Sequence, residues 1–158
     1  MIVEHLCGSC LCEAVTYRVN PPFRSIIGCH CVQCRKQTGH FMAASAAKRE
    51  NLTIISDEYL TWYESGPTSR RGFCGRCGST LFFEAIGSGQ VSFAAGTVDG
   101  VTGLTMTAQI FTTEKGDYYA VPDKSQIFDA GCASLLSLVA DHKDLRKEIS
   151  PIGRATTE

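Results

Sequence analysis

The segment that decides the fold is Cys74-Gly75-Arg76-Cys77-Gly78. Its two glycines permit the positive-φ turn of a knuckle, in which two thiolates converge on one ion. Two more groups of closely spaced cysteines precede it, Cys10-Leu11-Cys12 and Cys29-His30-Cys31-Val32-Gln33-Cys34. In an extended segment residues i and i+2 project to the same face, so each group can direct two sulfurs to one point. Seven clustered thiols at these spacings predict metal binding.

Counting ligands suggests how the seven thiols divide. A closed structural zinc site takes four protein ligands, whereas a catalytic one keeps three and an open position. The Cys29, Cys31 and Cys34 triplet is local, which leaves the Cys10-Leu11-Cys12 pair to join Cys74 and Cys77 across the fold. Two zinc ions per chain are therefore predicted, and the cross-fold site should stabilise the folded chain. Two alternatives stay open: Cys31 and Cys34 could meet Cys74 and Cys77, or four thiols could hold an iron–sulfur cluster.

The chain outside the cysteines is typical of short β-strands. Residues 14–19 alternate in polarity and end at Asn20-Pro21-Pro22. Further apolar or β-branched runs are separated by Gly, Pro, Asp and Ser, and they cover residues 25–31, 42–47, 52–56, 59–63, 79–84 and 91–96. This spacing predicts a mostly β domain of small antiparallel sheets over residues 1–131.

The C-terminal part has a different pattern. Between residues 133 and 149 apolar side chains fall near helical spacing, and Pro151 then ends the pattern. An amphipathic helix is predicted in a C-terminal extension, residues 132–158. Because an isolated helix of this length is marginal in water, it should pack on the β domain or on a second copy of the chain, as in a homodimer.

Composition sets the broad class. The chain has 158 residues, of which 44% are hydrophobic and 20% charged, as in an ordinary globular domain. A net charge of −1 provides no bulk attraction to nucleic acid or anionic lipid, and no apolar run is long enough to span a membrane. Nine cysteines behind an N-terminus without a signal-peptide pattern predict a reducing, cytoplasmic location.

The three cysteine motifs, read with their flanking residues, resemble the glutathione-dependent formaldehyde-activating enzyme family, also called the CENP-V/GFA domain. The resemblance rests on residues 8–15, 29–39 and 71–81, and later on 96–99, 109–111 and 117–119. It implies a β-tent fold of small sheets. It also implies structural zinc at Cys10, Cys12, Cys74 and Cys77 and catalytic zinc at Cys29, Cys31 and Cys34. Where the family often has histidine in a His-Ile-Phe stretch, this chain has Gln109.

The implied activity is that of a carbon–sulfur lyase, in which an open zinc activates glutathione for addition to formaldehyde. Glutathione's two carboxylates need cations, and Arg35 and Lys36, directly after Cys34, are the natural candidates. Secondary candidates for the same role are three arginines, Arg70, Arg71 and Arg76. The alternative function is a non-catalytic, zinc-stabilised binding module for a protein or thiol partner, which a fourth ligand closing the triplet would favour.

Three residues near or outside the motifs receive no role in metal binding. His30 lies between two ligand cysteines and should point to the opposite face. Cys7 and Cys132 fall outside every motif and are expected to be small buried side chains.

Overall fold

Two β-sheets organise the computed structural model, which describes residues 4–121 and 126–129. The smaller sheet has the order β1-β2-β5 and is antiparallel throughout. Its strands are β1 (Leu6–Ser9), β2 (Thr16–Val19) and β5 (Leu52–Ser56). It contains the turn that carries Cys10 and Cys12, because that turn joins β1 to β2.

The larger sheet has eight strands in the order β11-β10-β3-β4-β9-β8-β7-β6. Its members are β3 (Ile26–Cys29), β4 (Met42–Lys48), β6 (Leu60–Gly66), β7 (Ser69–Cys74), β8 (Thr80–Ala85), β9 (Gln90–Ala94), β10 (Met106–Ile110) and β11 (Gln126–Ile127). The α-helix found in the described part of the chain is α1 (Val32–Thr38). It follows β3 and carries Cys34 into the same region as Cys29.

The predicted mostly β fold of small sheets is confirmed, with one difference in strand direction. Strand β10 runs parallel to both β3 and β11, whereas the other pairs are antiparallel. A parallel partner needs a long connection, and about 80 residues of chain separate β3 from β10. The predicted C-terminal helix, the domain boundary after residue 131 and Cys132 all lie outside the described residues.

The largest core lies between the two sheets. Tyr17 of β2 meets Phe82 of β8 edge to face, with ring centroids 5.0 Å apart. Cys10 and Cys74 are buried in this same cluster. A smaller core lies under the N-terminal end of α1 and contains Cys34, Met42 and Ala44. The cysteine groups therefore lie in two different packing environments.

No helix among the described residues is long and apolar enough to cross a membrane.

Candidate metal centres and reaction cavity

The four-cysteine cluster consists of Cys10, Cys12, Cys74 and Cys77. Their sulfur atoms all lie within 4.8 Å of one another. The Sγ atoms of Cys10 and Cys12 are 3.6 Å apart, and those of Cys12 and Cys74 are 3.8 Å apart. A tetrahedron with zinc–sulfur bonds of about 2.3 Å has edges of about 3.8 Å. The donor set and its spacing therefore fit a closed, four-thiolate zinc site.

Two tight turns bring these sulfurs together. Cys10 and Cys12 lie in the turn between β1 and β2, where Glu13 has a left-handed φ of 59° and its N–H donates to the Cys10 carbonyl. The expectation that this pair lies in an extended strand was therefore wrong, although the two sulfurs do converge. Cys74 ends β7, and Gly78 adopts a φ of 78°, as the knuckle requires. The Gly78 N–H donates to the Cys74 carbonyl at 2.8 Å.

Hydrogen bonds from neighbouring donors stabilise thiolates in this cluster. The Leu11 N–H donates to Ser79 Oγ at 3.0 Å, so the Ser79 hydroxyl is free to donate to Cys77 Sγ at 3.3 Å. This hydroxyl and the Ser79 N–H lower the pKa of Cys77 to about 5. Burial would raise the pKa of Cys10, but the Val15 N–H and the neighbouring thiols outweigh burial and lower it. The cluster therefore has the chemistry to hold a cation.

The triplet of Cys29, Cys31 and Cys34 forms a second cluster, whose sulfurs also lie within 4.8 Å of one another. Cys29 ends β3, Cys31 is the N-cap of α1, and Cys34 lies in the first turn of that helix. The Cys34 N–H donates to Cys31 Sγ at 3.4 Å. A strand end followed by one helical turn thus gathers three sulfurs from six consecutive residues. Cys29 ends β3 and Cys31 has a φ of −58° and a ψ of 155°, so this pair has the extended geometry that was expected.

Three sulfurs at this spacing interact strongly. Thiol donors on Cys29 and Cys34 hold the pKa of Cys31 well below its ordinary value, while the same hydrogen bonds and burial raise the pKa of Cys29. A triplet in which all three sulfurs are anionic therefore needs a cation. Within the part of the chain that the structure describes, no fourth His, Cys, Asp or Glu joins this group. Its donor chemistry fits a zinc site that keeps one position open.

A cavity of about 530 Å³ borders the triplet, and its lining includes all three of these cysteines. Its walls are largely apolar and include the large side chains of Ile27, Met42, Phe83, Ile110 and Phe111. Its charged lining residues are Arg24, Arg71 and Glu114. The four-cysteine cluster contributes no residue to the lining. Of the two clusters, it is the three-cysteine cluster that lines this cavity, which is large enough to admit a small molecule.

His30 points away from the sulfurs on either side of it, as the sequence predicted. It is fully buried, with Nε2 2.7 Å from Gln109 Oε1 and Nδ1 2.6 Å from the Tyr119 hydroxyl. Because the amide oxygen of Gln109 accepts, Nε2 carries the proton and Nδ1 accepts from Tyr119. Burial lowers the pKa of His30, which favours this neutral form. These two hydrogen bonds hold the His30 side chain in place between Cys29 and Cys31.

The predicted anion-binding residues occupy different surroundings. Arg35 and Lys36 lie on α1 outside the cavity lining, with Lys36 exposed and Arg35 partly buried. Arg70 pairs with Glu84, with Nη2 and Oε2 2.6 Å apart. The Arg76 guanidinium lies 5.7 Å from the ring centre of Tyr59. Of the five cationic residues named from the sequence, Arg71 is the one that lines the cavity.

Two features were missed or misjudged from the sequence. Arg24 was not predicted to have a role, although a charged residue beside the apolar stretch Ser25-Ile26-Ile27 was an available signal. Cys7 is exposed, so the expectation that it is a buried side chain was wrong. It lies on β1, where its neighbours Leu6 and Gly8 take the inward positions.

Comparisons with known proteins agree with this arrangement. The family model described as glutathione-dependent formaldehyde-activating enzyme matches residues 5–114, which include both cysteine clusters and the cavity arginines. An uncharacterized lyase of Schizosaccharomyces pombe is 29% identical over 123 residues, covering 77% of this chain and 88% of the relative. A crystal structure of a Rhodobacter sphaeroides protein is similar with a TM-score of 0.51 and 26% identity, covering 61% of this chain and 90% of that one. The chain belongs to the glutathione-dependent formaldehyde-activating enzyme family.

Proposed function

We propose that this protein is a zinc-dependent carbon–sulfur lyase, in which a thiol such as glutathione adds to a small aldehyde such as formaldehyde. One observation carries the proposal: the incomplete cluster is the one that borders the cavity, while the complete cluster lies apart from it. An open ligand position beside a largely apolar cavity suits a reaction centre. Family membership and a relative named as a lyase support the same reaction class.

Two zinc ions per chain are proposed, with different roles. Cys10, Cys12, Cys74 and Cys77 hold a structural ion, and Cys29, Cys31 and Cys34 hold a catalytic one. Zinc at the triplet would supply a position at which a substrate thiol binds with a lowered pKa. Cys29, Cys31 and Cys34 would hold that ion where they line the cavity, and the rings of Phe83 and Phe111 form part of the apolar wall beside them.

The proposed reaction balances without another reactant. The thiol sulfur forms a bond to the aldehyde carbon, the carbonyl π electrons move to the oxygen, and that oxygen takes up the proton released by the thiol. The product is a hydroxyalkyl thioether, S-hydroxymethylglutathione when the substrates are glutathione and formaldehyde. The reverse direction breaks the carbon–sulfur bond, which is the lyase reaction.

The remaining proposals concern substrate-binding residues, cellular location and partners. We assign Arg35 and Lys36 to the carboxylates of glutathione, because they lie on the helix that holds Cys34. The eight cysteines of the described residues are all free thiols, which suits a reducing, cytoplasmic location. The proposed partners are small molecules rather than nucleic acid or membrane, and residues 132–158 are proposed to mediate a homodimer.

Cobalt substitution tests the proposal. Cobalt in both clusters should give thiolate-to-metal charge-transfer bands, and glutathione should change the bands that arise from the triplet. The Cys31→Ser variant is the matched control, because it should lose that response while keeping the bands of the four-cysteine cluster. A spectrum indifferent to millimolar glutathione would contradict the lyase proposal and favour the non-catalytic binding module.

A further inference from the structure

A buried cation reaches the three-cysteine cluster from another part of the fold. Arg71 lies on β7, and its Nη1 donates to Cys34 Sγ at 3.7 Å. The residue is 5% exposed, so water and salt screen this contact little. A guanidinium N–H that donates to a thiolate forms a charge-assisted hydrogen bond, which is stronger than a bond between neutral groups. Arg71 can therefore act on a metal ligand from outside the triplet.

The position of the Arg71 guanidinium is fixed by helix α1 and strand β8. Its Nη1 donates to Gln37 Oε1 at 3.0 Å, and its Nη2 donates to Gln33 Oε1 at 3.1 Å. These two glutamines are four residues apart and so lie on one face of α1, the helix that also carries Cys34. On β8, the ring centre of Phe83 lies 5.0 Å from the Arg71 Cζ atom. Arg71 thus connects β7 to the helical turn that completes the triplet.

The charge of Arg71 is complementary to that of the triplet. None of the described carboxylates forms an ion pair with Arg71, and neutral amides position a guanidinium without cancelling its charge. A buried cation is costly unless an anion lies beside it, and the Cys34 thiolate can be that anion. Three thiolates with one divalent ion carry a net charge of −1, and a thiolate bound as fourth ligand would make it −2. The guanidinium would offset part of this charge.

The two clusters receive different kinds of donor. Sulfurs of the four-cysteine cluster accept from neutral groups, the Ser79 hydroxyl and the Val15 N–H. A closed site keeps the same four ligands and therefore keeps the same charge. The triplet, in contrast, would gain a negative charge whenever a thiol binds at its open position. A fixed cation beside Cys34 would favour that change.

We propose that Arg71 is a positioning residue that acts through Cys34. It strengthens metal binding at the triplet, and it favours an anionic fourth ligand over a neutral one. This preference concerns the charge of the ligand atom on the metal and does not depend on the rest of the ligand. The inference rests on the proposed metal ion at the triplet, and it is independent of which thiol and aldehyde react there.

Cobalt titration of Arg71→Met tests the effect on metal binding. The variant should bind cobalt at the triplet about 10- to 100-fold more weakly, as is usual when a group that supports a metal ligand is removed. The thiolate-to-cobalt band of the triplet should move to longer wavelength, because Cys34 loses a hydrogen bond that lowers the energy of its sulfur lone pairs. The bands of the four-cysteine cluster, measured alone in Cys31→Ser, are the internal control and should not move. Arg70→Met is the matched control variant, since Arg70 lies on the same strand and pairs with Glu84.

Two fourth ligands of different charge test the preference. 2-Mercaptoethanol binds a metal as a thiolate and carries no carboxylate, whereas imidazole binds as a neutral ligand. In Arg71→Met, the affinity of the cobalt-loaded triplet for mercaptoethanol should fall on the order of tenfold relative to its affinity for imidazole, because a nearby cation is lost. Arg71→Lys keeps the charge and should retain part of the preference. Equal loss of affinity for both ligands would reduce Arg71 to a structural contact and overturn the proposal.

The outcomes separate this inference from the proposed function. A wild-type triplet that takes up no cobalt would contradict the proposed function and, with it, the role of Arg71. Normal cobalt uptake, with the same affinity, band and ligand preference in Arg71→Met as in the wild type, would overturn the role of Arg71 alone. If Arg71→Met fails to fold, the double variant Gln33→Leu and Gln37→Leu decides the question, because it releases the guanidinium and leaves β7 intact. It should show the same changes to a smaller extent, and an unchanged titration would overturn the inference.

Discussion

The two cysteine clusters use the same ligand atom in different surroundings. The four-cysteine cluster joins two turns more than 60 residues apart in sequence and places Cys10 and Cys74 in the largest core. The triplet comes from six consecutive residues, packs on a small core and faces a cavity. Thiolate chemistry alone therefore does not determine a cluster's role. The number of ligands and the space beside them distinguish a site suited to stability from one suited to reaction.

The largest expected difference between the two clusters is in their contribution to the stability of the fold. Cys74→Ser should abolish the cooperative thermal unfolding transition, because the site that links the β1–β2 turn to β7 would lose a ligand. Cys31→Ser should leave the fold largely intact and remove the lyase activity. Circular dichroism melts measure the first effect and a glutathione–formaldehyde assay the second. Cys7→Ser, which changes an exposed cysteine outside both clusters, should alter neither. Equal loss of stability in Cys74→Ser and Cys31→Ser would show that both clusters are structural.

A chelator should remove the metal ions of the two clusters one after the other. Elemental analysis of replete protein is expected to give two zinc ions per chain. An ion at the triplet would have three protein ligands beside a cavity, so a chelator should remove it first, with little change in the melting temperature. Removal of the second ion should unfold the chain. A stoichiometry of one, or simultaneous loss of both ions with unfolding, would contradict the distinction between the clusters.

A glycine substitution should affect the triplet selectively. A Cβ at Gly28 would collide with the Gln109 amide oxygen, which accepts from His30. Gly28→Ala should therefore displace Gln109, cost about 1–3 kcal/mol of stability and weaken metal binding at the triplet. Gly96→Ala is the control, since nothing lies within 4 Å of a Cβ at that position. Melting curves measure the loss of stability, and metal titrations measure the affinity of the triplet. A Gly28→Ala protein with normal metal affinity would show that the contact between Gln109 and His30 does not support metal binding at the triplet.

The smallest effect on glutathione binding is expected from substitutions at the surface of α1. Lys36 is exposed and Arg35 partly so, and ion pairs at such positions contribute about 1 kcal/mol or less. Arg35→Ala combined with Lys36→Ala should weaken glutathione binding about fivefold or less, measured by cobalt titration. A loss of more than about tenfold would contradict this, because exposed ion pairs do not contribute that much binding energy.

The sequence predicted the grouping of the cysteines because ligand spacing is a local property with few solutions. The structure brings Cys10 and Cys12 to Cys74 and Cys77, and keeps Cys31 and Cys34 with Cys29. The assumed backbone was wrong for Cys10 and Cys12, which a tight turn brings together. Cys29 and Cys31 are extended as expected, and the first turn of α1 adds Cys34. Helix α1 was missed because its seven residues are too few to show an apolar period.

The cavity could not be predicted, because its walls come from strands that are distant in sequence. Strand β7 was missed since Ser69-Arg70-Arg71-Gly72 contains two charges and a glycine, and its pairing with β6 and β8 overrides that weak strand preference. Only this pairing turns Arg71 inward and leaves Arg70 beside Glu84. The buried contact of His30 with Gln109 likewise depends on the parallel pairing of β10 with β3.

Cadmium-113 NMR of protein loaded with cadmium tests the difference between the clusters most directly. Two resonances are expected, one from each cluster, because the number and arrangement of sulfur ligands differ between them. Addition of glutathione should move the resonance of the triplet and leave that of the four-cysteine cluster unchanged, because the open metal position is proposed at the triplet, which lines the cavity. Two resonances that both ignore glutathione, or that both move, would contradict the division into a closed and an open site.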